Sequence, residues 1–109
     1  MNDKTLREVC EEFGVSRRAI QGYEKAGLVS PARRNERGYL LYDERGQKQI
    51  QRIKLYQQLG FSLKEIVRLF ESSGDEVKKA LENQIIKLEH KKQHMEELIR
   101  KAYELIEIS

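Results

Sequence analysis

Apolar residues recur at helical spacing in several segments of this chain, and the residues between the segments favour helix ends. The first segment carries Leu6, Val9, Cys10 and Phe13 on one face. Thr5 and Glu8 form the pattern of a capping box at its start, and Gly14 ends it. A second segment follows at once, with Ser16 suited to an N-cap and Gly27 to a left-handed residue after the helix. Two short helices joined by a tight turn containing glycine predict a helix-turn-helix.

The second predicted helix is basic as well as partly apolar. Ile20 is expected to face a core, and the side chains offered to solvent are Arg17, Arg18, Gln21 and Tyr23. From Ser16 to Tyr39 the chain has six Lys or Arg residues against Glu24 and Glu36. A helix of this kind fits a DNA groove, and a basic front half indicates nucleic acid bound at one end of the chain. The alternative is an ordinary helical hairpin in a small core.

A basic hairpin is predicted directly after this helix. Pro31 cannot extend the helix, and the segment 33–38 has the residue types of a hairpin tip. Residues 39–42 are aromatic and apolar, which favours a short strand. Arginines at a hairpin tip suit phosphate oxygens, and a tyrosine can add a hydroxyl donor. The predicted phosphate-binding residues are Arg33, Arg34, Arg37 and Tyr39. A solvated loop is the alternative.

Two further helices complete the predicted DNA-binding module. The first begins at Asp43 or Glu44 and ends at Gly60, with its apolar face formed by Ile50, Ile53, Tyr56 and Leu59. Gly46 lies in its first turn, which is therefore expected to fray. Ser62 and Glu65 form another capping box before a short helix. The segment 71–75 has the composition of a linker.

The last third of the chain predicts one long helix, from Glu76 to about Ile108. Its positions spaced by four and three form a heptad seam: Val77, Leu81, Gln84, Leu88, Lys91, Met95, Leu98, Ala102 and Leu105. Ile85, Ile99 and Ile106 widen the apolar stripe. A helix about 50 Å long is too long for a core of this size to cover, so the stripe requires a partner helix. The alternative is a helix that folds back on its own domain.

The composition of the chain narrows the classes of protein to which it can belong. With 109 residues the chain holds one small core and an appended element, and its net charge is +3. No segment is apolar enough to span a membrane, and a single cysteine, Cys10, expected to be buried, fits a reducing cytoplasm. No nucleophile–base pair or phosphate loop indicates an enzyme or a cofactor. His90 and His94 have a spacing that suits zinc, but only Glu97 offers a third ligand, so no metal is predicted.

Residues 4 to about 71 resemble the winged-helix DNA-binding domain of the MerR family of transcription regulators. The resemblance is carried by residues 14–16, 23–28, 30–31, 37–39, 41–42 and 59–66. Two places depart from the family pattern. Gln21 and Gly22 stand where an arginine and an aromatic residue are usual, and Leu40 stands where an arginine often follows the wing tyrosine. The family's effector segment lies beyond the coil, and the sequence does not decide whether this chain is a complete regulator or a fragment.

The resemblance implies a mainly α-helical protein with two domains. Residues 1–74 would form the winged helix-turn-helix domain, and residues 75–109 would form a dimerisation helix in an antiparallel coiled coil. The implied function is sequence-specific binding of promoter DNA by a homodimer. The dimer would bend or untwist the spacer, which is the DNA between the two promoter elements that polymerase recognises, with RNA polymerase as a further partner. The implied DNA-binding set is Ser16, Arg17, Arg18, Gln21, Tyr23, Arg33, Arg34, Arg37 and Tyr39. Two alternatives are an excisionase-like DNA-bending protein and a protein-interaction module.

Overall fold

Thr5 and Gly14 set the two ends of the first helix, as their residue types predict. The computed structural model of the protein describes residues 2–109. The chain divides into two units, Met1–Glu71 and Ser72–Ser109. In the first unit the elements are β1 (Lys4–Thr5), α1 (Leu6–Phe13), α2 (Arg17–Lys25), β2 (Arg33–Arg34), β3 (Leu40–Tyr42), α3 (Glu44–Leu59) and α4 (Leu63–Glu71).

The helix-turn-helix is closed by caps and by one long-range hydrogen bond. Thr5 and Glu8 form the predicted capping box, and Gly14 ends α1 in the left-handed region at φ 63°. Lys54 Nζ in α3 donates to the carbonyl of Phe13 at 2.6 Å, which satisfies a carbonyl at the end of α1. A Cβ at Gly14 would lie 3.0 Å from that ammonium nitrogen. The turn therefore favours glycine for its left-handed backbone, and the missing side chain leaves room for the ammonium group of Lys54.

The sheet contains three antiparallel strands in the order β1-β3-β2. Lys4 pairs with Tyr42, and Arg34 pairs with Leu40. The hairpin of β2 and β3 confirms the predicted wing, although β3 begins at Leu40 rather than at Tyr39. The strand β1 was not predicted, because two residues, the second of them the N-cap of α1, show no alternation of their own and depend on pairing with β3.

The core of this unit collects apolar residues from all four helices, from β3 and from the loop after α2. Its fully buried members are Val9, Ile20, Tyr23, Tyr42, Ile50, Ile53 and Ile66. Cys10, which was predicted to be buried, is only half-buried. Its partial burial raises the pKa of the thiol.

Helix α3 is capped by Asp43, whose carboxylate accepts from the amide of Gly46 at 2.9 Å. A Cβ at Gly46 would lie 3.3 Å from the same carboxylate oxygen, so glycine allows a close cap here. The first turn, which was expected to fray, is formed and buried at Gly46. The predicted capping box of α4 is also formed, since Ser62 and Glu65 exchange hydrogen bonds of 3.0 and 3.2 Å.

The second unit is one helix, α5 (Gly74–Glu107), of 34 residues. It starts two residues before the predicted Glu76, because Ser73 rather than the following residues is the N-cap. At 1.5 Å per residue it is about 50 Å long. Every residue from Glu89 to Ser109 is exposed, and the largest apolar side chains there are Met95, Leu98, Ile99, Tyr103, Leu105, Ile106 and Ile108.

None of the helices formed by residues 2–109 is both long enough and apolar enough to cross a membrane.

Candidate nucleic-acid interface

The exposed face of α2 carries most of the predicted groove contacts. Arg17, Arg18 and Gln21 are exposed, as expected. Lys25, which was not singled out from the sequence, is exposed two turns after Arg17 and extends the same face. Ser16 caps the helix by accepting from the amide of Ala19 at 3.0 Å, which leaves its hydroxyl hydrogen to donate outward. The face therefore offers several positive or neutral donors to a ligand.

Tyr23 does not belong to this face, so the prediction that its side chain is exposed is wrong. Its side chain is 1% exposed, and its hydroxyl donates to Gln57 Oε1 at 2.7 Å. Burial raises the pKa of the phenol. The physical reason is helical periodicity: Tyr23 follows Ile20 by three residues and shares its buried side of α2. Tyr23 instead anchors α2 to α3.

A second buried phenol connects α2 to the wing strand. Tyr42 in β3 is fully buried, and its hydroxyl donates to the carboxylate of Glu24 in α2. Burial and the neighbouring carboxylate both raise the pKa of Tyr42, so it remains a donor. Because a hydrogen bond to a charged acceptor is stronger than a neutral one, this contact helps to hold the helix and the wing in a fixed relation.

The tip of the wing is organised by one asparagine. Asn35 Oδ1 accepts from the amides of Arg37 and Tyr39 at 2.9 and 3.0 Å. Gly38 takes the left-handed backbone at φ 81° that closes the turn. These bonds fix the backbone on both sides of Arg37, while Tyr39 is 56% exposed beside the turn. Asparagine side chains often accept a hydrogen bond from the backbone amide two residues later. This preference was the sequence signal for the role of Asn35.

The three wing arginines differ in their surroundings. Arg34 Nη1 donates to the carbonyl of Gly38 at 2.7 Å, within the wing itself. Arg33 forms an ion pair with Asp3, with 2.6 Å between Nη2 and Oδ2. As successive residues of a strand, Arg33 and Arg34 point to opposite faces of the sheet. Arg37 forms no ion pair with any described residue. Arg34 and Arg37 are thus better placed for a phosphate than Arg33, whose charge is already paired.

A cleft brings the helix and the wing residues together. It measures about 500 Å³ and is lined by Thr5, Leu6, Arg7, Arg17, Arg34, Gly38, Tyr39 and Leu40. Arg17 from α2 and both Arg34 and Tyr39 from the wing, which lie far apart in sequence, thus share one surface. Arg7 of α1 was not singled out from the sequence, because it belongs to neither the second helix nor the hairpin.

The predicted dimerisation residues follow α5 along its length. Val77, Leu81 and Leu88 are half-buried within the single chain; the exposed members of the set are Ile85, Met95, Leu98, Ile99, Ala102 and Leu105. His90, His94 and Glu97 are exposed on the same helix. Within residues 2–109 no three such side chains form a group that could hold a metal ion.

Comparison with protein families matches nearly the whole chain. Residues 4–73 match the model of the MerR HTH family regulatory protein, and residues 47–101 match the model described as MerR, DNA binding. These are models of a regulatory, non-enzymatic family.

Curated relatives agree with the family models. The HTH-type transcriptional activator mta of Bacillus subtilis is 33% identical over 95 residues, which are 87% of this chain and 37% of that protein. The mercuric resistance operon regulatory protein of Bacillus cereus is 36% identical over 59% of this chain and 48% of its own length. The transcriptional regulator CueR of Escherichia coli is 33% identical over 85% of this chain and 71% of that protein. The chain thus spans less than half of the first two relatives.

Solved structures share the fold. The N-terminal part of the Bacillus subtilis multidrug transporter activator, MtaN, has a TM-score of 0.69 and 30% identity, covering 94% of this chain and 97% of that one. HiNmlR, a MerR family regulator lacking the sensor domain and crystallised with promoter DNA, also has a TM-score of 0.69. At 17% identity over 89% of this chain and 78% of that one, HiNmlR shows similarity of fold alone.

Proposed function

Because this chain belongs to the MerR family of helix-turn-helix regulatory proteins, we propose that it binds double-stranded promoter DNA and regulates transcription there. The observation that carries the proposal is the exposed face of α2, which presents Arg17, Arg18, Gln21 and Lys25 beside the wing. Residues 1–74 are the DNA-binding domain in this proposal. In this proposal the protein acts in the cytoplasm.

The contacts divide into two kinds. Arg18 and Gln21 on α2 face the major groove and contact base edges, for which arginine and glutamine have suitable paired donors and acceptors. Arg17, Arg34, Arg37 and Tyr39 contact the sugar-phosphate backbone, as does the hydroxyl of Ser16. Arg33 contributes charge at the wing but is held by Asp3. Tyr23 takes no part, because it is buried.

We further propose that α5 pairs with α5 of a second copy in an antiparallel coiled coil formed by residues 75–109. The support is the exposed apolar stripe on a helix about 50 Å long, which one chain does not cover. In such a dimer the two α2 helices meet major-groove faces about 34 Å apart on straight DNA. Bending or untwisting the spacer would then align the promoter for RNA polymerase at a cost in DNA deformation energy.

DNA recognition is tested by selecting bound fragments from a genomic library and measuring affinity for the selected site at several salt concentrations. We expect an inverted repeat and a steep fall of affinity with salt. Arg18→Ala should weaken binding by roughly 5- to 150-fold, since it removes a base contact worth about 1–3 kcal/mol. Arg100→Ala, which removes the same charge from an exposed position of α5, is the matched control. Failure of the wild-type protein to bind any duplex at moderate salt would refute the proposal.

Dimerisation is tested by placing a charge on the exposed stripe. Leu98 is 46% exposed in the single chain, so Leu98→Lys should leave the fold of one chain intact. Sedimentation should then show monomers, with a large loss of affinity for the inverted repeat because two half-sites no longer bind one particle. Gln93→Lys adds the same charge about 140° around the helix and should remain dimeric. A folded monomeric variant with full affinity would contradict the dimer; it would favour an architectural protein that binds as a monomer.

A further inference from the structure

The cleft between α1, α2 and the wing is unusual in its charge. Arg7, Arg17 and Arg34 come from three different elements and line the same 500 Å³ space. None of the eight residues that line it is acidic. The hydroxyls of Thr5 and Tyr39 add polar groups to the lining, and Leu6 and Leu40 add apolar surface. Three arginines in the lining of one open space, with no acidic residue among the other lining residues, form a natural site for an anion.

The partners of these arginines within the protein leave their charges largely available. Arg7 Nε lies 3.2 Å from Glu11 Oε1, one turn along α1, and both side chains are more than two-thirds exposed. Exposed pairs of this type contribute little and exchange readily with other partners. Arg34 bonds to a carbonyl, which leaves its positive charge uncompensated. Since the contact of Arg7 with Glu11 is made through Nε, both Nη groups of Arg7 are available to a ligand. The cleft thus keeps its excess positive charge.

We propose that this cleft holds one backbone phosphate of the bound DNA and that Arg7 is one of its binding residues. This inference rests on the proposed DNA-binding function and adds a contact from α1 to those of α2 and the wing. Two oxygens of a phosphate group match the fork of a guanidinium group, so each arginine can supply the phosphate with up to two donors. The three arginines form a phosphate clamp that holds α2 and the wing at a single point of the DNA strand. This clamp fixes the register of α2 in the groove.

Glu11 acts against this contact, because it competes with the phosphate for Arg7. Arg7→Ala and Glu11→Gln should therefore change DNA affinity in opposite directions. Arg7→Ala should weaken binding by roughly tenfold. It should also reduce the salt slope, which is the steepness with which the logarithm of affinity falls with the logarithm of salt concentration, by about 0.9 for each cleft in the complex. Glu11→Gln should strengthen binding, since it removes the competing carboxylate. Both positions are exposed, so the thermal midpoints should stay near that of the wild type.

The decisive measurement uses the selected duplex with one phosphate at a time replaced by a neutral methylphosphonate. Wild-type affinity should fall at one backbone position in each half-site. At that position Arg7→Ala should lose no further affinity, because the two changes remove the same contact. The control Arg100→Ala should lose affinity at that position as the wild type does. Losses that add fully at every position, or an Arg7→Ala variant that binds as tightly as Arg100→Ala, would overturn the clamp.

The failure of this inference is distinguishable from the failure of the proposed function. A wild-type protein that binds no duplex refutes DNA binding itself. A wild-type protein that binds with a steep salt slope, while Arg7→Ala changes neither affinity nor slope, retains DNA binding and removes Arg7 from the interface.

Discussion

Replacing Tyr23 by phenylalanine separates the buried role of this residue from a role in DNA contact. The change removes one hydrogen bond, the 2.7 Å contact from the phenol to Gln57 Oε1, and keeps the buried ring. Gln57 is an exposed residue, so its amide oxygen can bond to water in the variant. The expected cost is therefore that of one neutral hydrogen bond, about 1 kcal/mol. For a domain of this size that lowers the thermal midpoint by roughly 4–8 °C.

The assay combines a thermal or urea unfolding curve with an affinity measurement on the selected duplex, and the affinity is measured well below the unfolding transition. Tyr23→Phe should lose stability and keep wild-type affinity and salt slope. Arg18→Ala should show the reverse pattern: lower affinity with an unchanged midpoint. A Tyr23→Phe variant with wild-type stability but weakened DNA binding would refute the assignment of the phenol to the core, because it would require the hydroxyl to reach the DNA.

Two further predictions concern stability. The raised pKa of Tyr42 lies above its value in the unfolded chain, so its stabilising contribution is complete below about pH 10 and declines above it, by up to about 1.4 kcal/mol per pH unit. The difference in unfolding free energy between wild type and Tyr42→Phe should shrink from pH 9 to 11; a constant difference would contradict this linkage. Gly22→Ala should raise stability by up to about 1 kcal/mol, since the added methyl would lie 3.7 Å from Leu63 Cδ1, an ordinary contact distance. Gly27→Ala at φ 78° should lower it, and a fall in the midpoint for both variants would show that position 22 does not accept a methyl group.

Local sequence rules were sufficient for the boundaries of most elements. Thr5, Ser16 and Ser62 cap helices through hydrogen bonds to residues three positions away, and Gly14 provides the left-handed end of α1. These interactions involve neighbours in the chain, so the residue types alone decide them. The heptad spacing of the last third likewise predicted one long helix, with an error of two residues at its start.

The composition of the candidate interface required the tertiary structure. Helical spacing placed Arg17, Arg18 and Gln21 outward and Ile20 inward, and the same spacing should have placed Tyr23 with Ile20. The polar tip of Tyr23 favoured an exposed position, and only the presence of Gln57 from α3 shows that the hydroxyl has a partner in the fold. A buried tyrosine is stable where such a partner exists, which sequence spacing within α2 cannot reveal.

The charges of the wing depended on the fold in the same way. The sequence determined that arginines cluster at a hairpin tip, but not that Asp3 neutralises Arg33 from a residue thirty positions earlier. It also gave no sign that Arg7 joins Arg17 and Arg34 around one cleft, because that meeting depends on how α1 packs beside the sheet. Capping and periodicity act between residues a few positions apart, whereas ion pairs and shared clefts act across any separation in sequence. The sequence alone therefore determined the helices and strands and the charge that each of them carries. The packing of those elements decided which side chains face a ligand together.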